Sequence, residues 1–264
     1  MYDDEMARGI EQNKALKKLM LERHRPAFDL WFRLAQVLEE AVVKERMVDS
    51  AFGRALDLFF LQTFKSHQSL YPLCVMGHGE DAATIARRLL EISLQVGHLV
   101  SEESKREEHG EAYLAHFWHN AADILAKTEL PEAQRKWWEQ HYQLYKPRLK
   151  FNSKGRPANT WFGSNFAGLA ATLGLQETYE KDYRFLSNVA HCSSRGLLLE
   201  KINNAVQIKS EFLVPEILVY GSKYTLWITA NWNEHFALIE PAKLEQLRDE
   251  AINFRFKKTH LTLL

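Results

Sequence analysis

Arg184, Ser187, Asn188 and His191 are spaced i, i+3, i+4 and i+7. A helix turns about 100° per residue, so these positions share one face. A guanidinium, a hydroxyl, an amide and an imidazole then point the same way. An imidazole, with an ordinary pKa of about 6.5, exchanges protons near neutral pH. A guanidinium holds an anion through its planar fork of donors. Phe185, Leu186, Val189 and Ala190 supply the apolar side that anchors such a helix in a core. Tyr183 precedes the row, and Ser194 and Gly196 follow it in a predicted turn. Arg184, His191, Asn188 and Ser187 are therefore the candidate catalytic residues, and Tyr183 and Ser194 candidate substrate contacts.

Two further groups bear on the same chemistry. Arg88 and Glu91 lie at i and i+3 of a predicted helix, and Glu91 and His98 are seven apart, so all three can face one way. They read either as part of a binding site or as a buried pair that fixes helix register. A predicted loop over 146–160 carries Lys150, Lys154 and Arg156, and no acid lies between Glu139 and Glu177. With Trp161 it reads as a surface that tracks a single-stranded backbone and stacks a base, or as a solvated connector. Arg184 has a structural alternative too, an ion pair with Glu91 or Glu180.

A metal site is the competing chemistry. His109, His116 and His119 recur along one helical pattern beside Glu108, and His98, Glu91 and His191 are possible ligands from neighbouring helices. Helical bundles build such centres from E-x-x-H pairs, and none occurs in this chain. No metal and no cofactor is expected. Cys192 adjoins His191, but neighbours on a helix diverge by about 100°, which disfavours a Cys–His nucleophile pair.

The elements that must position these groups are helical. Apolar residues repeat at helical spacing over 28–44 (Phe28, Trp31, Leu34, Ala35, Leu38, Val42) and over 52–69 (Leu56, Phe59, Phe60, Phe64). Pro72 and the Gly77-His78-Gly79 turn end that section, and Asp81 is placed to cap a helix over 82–100. Helices follow over 112–126 and from Pro131 through Tyr142. A short one begins at Trp161 and closes at Gly174. The row of chemistry falls on a helix over 179–190. Residues 197–220 read as a helix kinked at Pro215, continued in apolar character to Ile239, and a last charged helix spans 242–257. The expected fold is an all-α bundle with no significant sheet: an exposed helix over 1–25, a core over 26–240, and a C-terminal helix over 241–264 packed on it.

Composition sets the outer limits. The chain has 264 residues, 46% hydrophobic and 26% charged, ordinary for a globular protein. Lys+Arg and Asp+Glu both number 34, so nucleic acid must be argued from a local patch and not from net charge. Cys74 and Cys192 are far apart, which fits a reducing cytoplasm. The first residues are polar, unlike a signal peptide, and no segment approaches a membrane span.

The order Arg88-Leu-Leu-Glu91, Trp161…Leu169…Gly174-Leu175, Tyr179…Tyr183-Arg184-x-Leu186-Ser187 and His191-x-x-Ser194-x-Gly196 resembles the bacterial domain-of-unknown-function family 5677, from roughly Phe52 to Tyr220. That resemblance implies a fold and no activity. A more distant likeness is to HEPN domains, helical bundles that often act as metal-independent RNases. Their signature is an Arg and a His separated by four to six residues. Arg184 and His191 are separated by six, with Phe185 where a polar residue is usual and Asn188 one turn on. The HEPN likeness implies that His191 moves a proton at a ribose 2′-hydroxyl or leaving oxygen and that Arg184 holds the scissile phosphate. It implies RNA as substrate, a homodimer, and a stress or phage-defence setting. The other reading is a non-catalytic module that binds a protein partner or small ligand through the Arg184/His191 pocket.

Overall fold

In the computed structural model, residues 2–125, 127–152, 154–190, 201–202, 205–206 and 213–254 are described. The fold is all-α. The helices are α1 (Tyr2–Arg23), α2 (Arg25–Val42), α3 (Ala51–Val75), α4 (Gly79–Val100), α5 (Arg106–Leu125), α6 (Glu132–Tyr145), α7 (Phe166–Thr172), α8 (Gln176–Thr178), α9 (Arg184–Ala190), α10 (Val214–Phe236) and α11 (Pro241–Ile252). Two-residue strands β1 (Lys201–Ile202) and β2 (Ala205–Val206) pair antiparallel. No helix among the described residues is long and apolar enough to cross a membrane.

The chain divides into two compact units. The first comprises Met1–Glu45, Leu61–Ser93 and Glu180–Leu264, and the second Arg46–Phe60 and Leu94–Tyr179. Both α3 and α4 therefore contribute residues to each.

In the first unit the apolar stripe of α2 is buried as its spacing predicts: Phe28, Trp31, Leu34, Ala35 and Leu38 are all covered, as is Trp232 of α10. Pro26 stands in the first turn of α2, where a missing N–H costs little, so it starts that helix after α1 has ended. The Asn233 side chain pins the link from α10 to α11. Its Nδ2 donates to the Ile239 carbonyl (2.8 Å) and its Oδ1 accepts from the Ile239 N–H (2.7 Å).

In the second unit Phe59 and Tyr113 pack ring to ring, and Leu94, Leu169 and Ala170 form a small core under Phe162 and Phe166. Glu107 caps α3: its carboxylate accepts from the Ala51 N–H (2.8 Å) and the Phe52 N–H (3.1 Å), donors that a helix start leaves unpaired. Gly110 makes that approach possible, because a Cβ there would stand 2.4 Å from the Phe52 nitrogen. Asn165 caps α7, and Gly174 closes it at φ +68°, as the sequence suggests.

Several boundaries differ from expectation. The short helix expected from Trp161 begins at Phe166, and the one expected over 112–126 begins at Arg106. Pro72 does not end α3, which runs through it to Val75. Asp81 lies within the first turn of α4 and is not its cap. Pro215 does not kink a helix begun at Leu197; it sits in the first turn of α10, downstream of β1 and β2. A proline at a helix start is favourable because its fixed φ suits the turn, which is the physical reason for the later start.

Candidate functional site

The row of interest is not a uniform helix. Tyr179–Tyr183 forms a π-helical turn, and α9 begins at Arg184. The wider π turn accommodates an extra residue and recurs at functional positions. Its inserted geometry puts Asp182 inside, 4% exposed. The Tyr224 hydroxyl of α10 donates to Asp182 Oδ2 at 2.5 Å, and Lys223 Nζ stands 3.4 Å from the same oxygen. Burial first, then the hydrogen bond to Asp182, hold the Tyr224 hydroxyl protonated far above its usual range. One turn earlier, burial raises the Tyr220 hydroxyl, with the negative charges of Asp182 and Glu216 adding to it. Burial likewise raises the Glu216 carboxyl. Spacing arguments missed this cluster. The available signal was Asp182 four residues before Leu186, an acid on the apolar face of the helix.

Arg184 points outward. Its side chain is 71% exposed and meets Glu180 at 4.0 Å, so of the two structural partners considered for it Glu180 is the one observed. Ser187 is half-buried and Asn188 exposed on the same helix. Tyr183 is half-buried under the Arg87 guanidinium, 5.2 Å from its ring centre. Arg87 Nε also bonds Glu91 Oε1 at 3.1 Å. The pairing expected of Arg88 with Glu91 is thus corrected: Arg87, one full turn before Glu91, takes that place, and Arg88 is exposed. His191, Ser194 and Cys192 lie outside the described residues.

In the second unit Lys150, Lys154 and Arg156 are all exposed. The expected loop contains a tight hairpin closed by a bridge between Phe151 and Pro157. Trp161 is not its stacking partner. The ring is 3% exposed, and its Nε1 donates to Gln95 Oε1 at 2.8 Å, which removes it from any base. Trp161 instead walls a pair of imidazoles, His98 and His109, stacked with centres 4.3 Å apart. Burial lowers the His98 pKa to about 4, and the neighbouring His109 and Lys150 charges add to the effect. His109 Nδ1 is buried without a hydrogen-bond partner. Among the described residues no three His, Cys, Asp or Glu side chains are placed to hold a metal ion.

The model of a family of unknown function, DUF5677, matches residues 54–205, over half of the chain. No curated protein and no solved structure matches it.

Proposed function

The chain belongs to DUF5677, and we propose that it is a metal-independent endoribonuclease acting through Arg184 and His191. The observation that supports this reading is the exposure of Arg184. Its ion pair with Glu180 is long and solvated, so the guanidinium can exchange that carboxylate for a phosphate at small cost. Ser187 and Asn188 stand one turn on, on the same α9 helix. In this reading Arg184 clamps the scissile phosphate with two parallel N–H donors. His191 accepts the ribose 2′-hydroxyl proton as that oxygen attacks phosphorus, or donates one to the departing 5′-oxygen. Ser187 and Asn188 orient the phosphate. Sites of this kind complete themselves across a two-fold axis, so the protein acts as a homodimer.

The test is incubation of the purified chain with RNA in excess chelator. The nuclease reading expects cleavage that survives chelation and is lost in both Arg184→Ala and His191→Ala, each with unchanged circular dichroism. Absence of cleavage in the wild-type dimer removes the enzyme and leaves a module that binds a partner or ligand at the same surface.

A further inference from the structure

We infer that the hairpin Lys150–Ala158 of the second unit is a binding finger for single-stranded nucleic acid, with Phe151 as its stacking ring. The hairpin is built and closed. The Asn152 N–H donates to the Arg156 carbonyl (2.8 Å) and the Ala158 N–H to the Lys150 carbonyl (2.8 Å). Asn152 Oδ1 accepts from the backbone N–H groups of Lys154 (2.9 Å) and Arg156 (3.2 Å), and Gly155 turns the tip at φ +69°. These bonds hold Phe151 outside, 59% exposed, where an apolar ring gains nothing from its own protein.

Only part of the basic charge of this segment is compensated. Arg148 is engaged by Glu111 at 2.7 Å, and Lys150 loosely by Glu108 at 3.7 Å. Among the described residues neither Lys154 nor Arg156 has an ion pair, and no acid occurs in the sequence between Glu139 and Glu177. A hairpin that carries both an exposed ring and cations matches a chain of bases and phosphates: the ring stacks on one unpaired base and the cations neutralise the backbone. A duplex hides its bases from such a ring, so the preferred occupant is single-stranded.

A second exposed ring lies in the same unit: Trp137 of α6, 49% exposed, packs against Trp118 of α5 with centres 5.5 Å apart.

The test uses the full-length chain carrying His191→Ala, which on the nuclease reading leaves the probe uncut. Fluorescent oligouridylate, oligothymidylate and a duplex of equal length are titrated by anisotropy between about 50 and 200 mM salt. We expect at least one single strand to bind more tightly than the duplex, and comparison of the RNA and DNA arms identifies which. Phe151→Ala weakens binding about tenfold with the salt dependence unchanged, and Phe151→Tyr restores it. Lys154→Ala with Arg156→Ala lowers the slope of log K against log salt by about 1.4. Equal binding by wild type and these variants, equal binding of duplex and single strand, or binding to anionic phosphatidylserine vesicles without binding to either oligonucleotide overturns the inference. It stands independently of the nuclease reading. Intact binding with no cleavage by the wild-type chain removes only the enzyme, and wild-type cleavage with hairpin-independent binding removes only the finger.

Discussion

His67 of the first unit and His98 of the second both lie on long helices, α3 and α4, and both are held neutral well below the ordinary imidazole pKa. Burial puts His67 at about 3. Its ring stacks on Trp31 (centres 5.0 Å apart, planes 14° apart), with Nε2 3.4 Å from the Trp31 carbonyl and Nδ1 3.4 Å from Thr225 Oγ1. Every polar edge of that ring is answered by the core. His98, at about 4, is half-buried, and its neighbours are another imidazole, Lys150 and Glu102. Around His67 the first unit satisfies the polar groups it encloses, although the Ser222 hydroxyl of the same unit is buried without a hydrogen-bond partner. The second leaves titratable and cationic groups at its margin, some without partners. The same residue type is thus a core component in one place and a chemically available group in the other.

Asp182 gives that contrast its largest expected effect. Asp182→Ala leaves the Tyr224 hydroxyl buried without its acceptor and Lys223 without its counter-ion. Loss of a partner from a buried hydrogen-bonded pair costs about 3 kcal/mol. Glu108→Ala in the second unit removes only a solvated pair and costs less than about 1 kcal/mol. Urea unfolding midpoints for the two variants measure the gap. Equal midpoints would mean that the enclosed carboxylate contributes no more than a surface one.

Acid should act more gently, and over a different pH range in each unit. An unfolded imidazole has its ordinary pKa of about 6.5, and the folded values are lower, so unfolding takes up protons as pH falls. The stability these histidines contribute is intact above about pH 6.5 and is lost as pH drops toward the folded value. That value is about 4 for His98 and about 3 for His67, so both losses begin together near pH 6.5, that of His98 levels off near pH 4 and that of His67 continues further. Hydrogen exchange followed from pH 7 downward should show protection falling in both α5 and α2, with the fall in α5 ending first. His98→Gln should flatten the fall in α5, since glutamine keeps a polar edge without a charge to gain. A fall in α2 that ended before that in α5 would reverse the comparison.

Much of the architecture could be read from the residues, because burial of one helical face is a local and repetitive signal. The stripe from Phe28 to Leu38 is an instance, and the Gly174 cap another. Pro215 shows where that signal fails: the same residue marks a kink inside a helix or the start of one, and only the paired residues before it decide. The candidate site was legible in part. Spacing singles out Arg184 as a candidate, and the structure leaves its side chain exposed. Asp182 could not be understood from spacing, since its partners Lys223 and Tyr224 come from α10, some forty residues along the chain. Trp161 was misread for a related reason. Its place beside a basic loop suggested stacking, while its indole N–H is committed to Gln95 of α4.

Arg184→Ala carries the smallest expected change in stability, and for that reason it discriminates best. If Arg184 served packing, its removal would uncover a paired charge and lower the melting temperature by several degrees. With its side chain 71% exposed and its partner Glu180 solvated, the substitution should move stability by less than about 0.5 kcal/mol. A melting temperature within error of wild type, together with lost cleavage, assigns the guanidinium to substrate. A drop of several degrees would place Arg184 with Asp182 among the groups that hold the first unit together, and the row that begins at Arg184 would lose its chemical meaning.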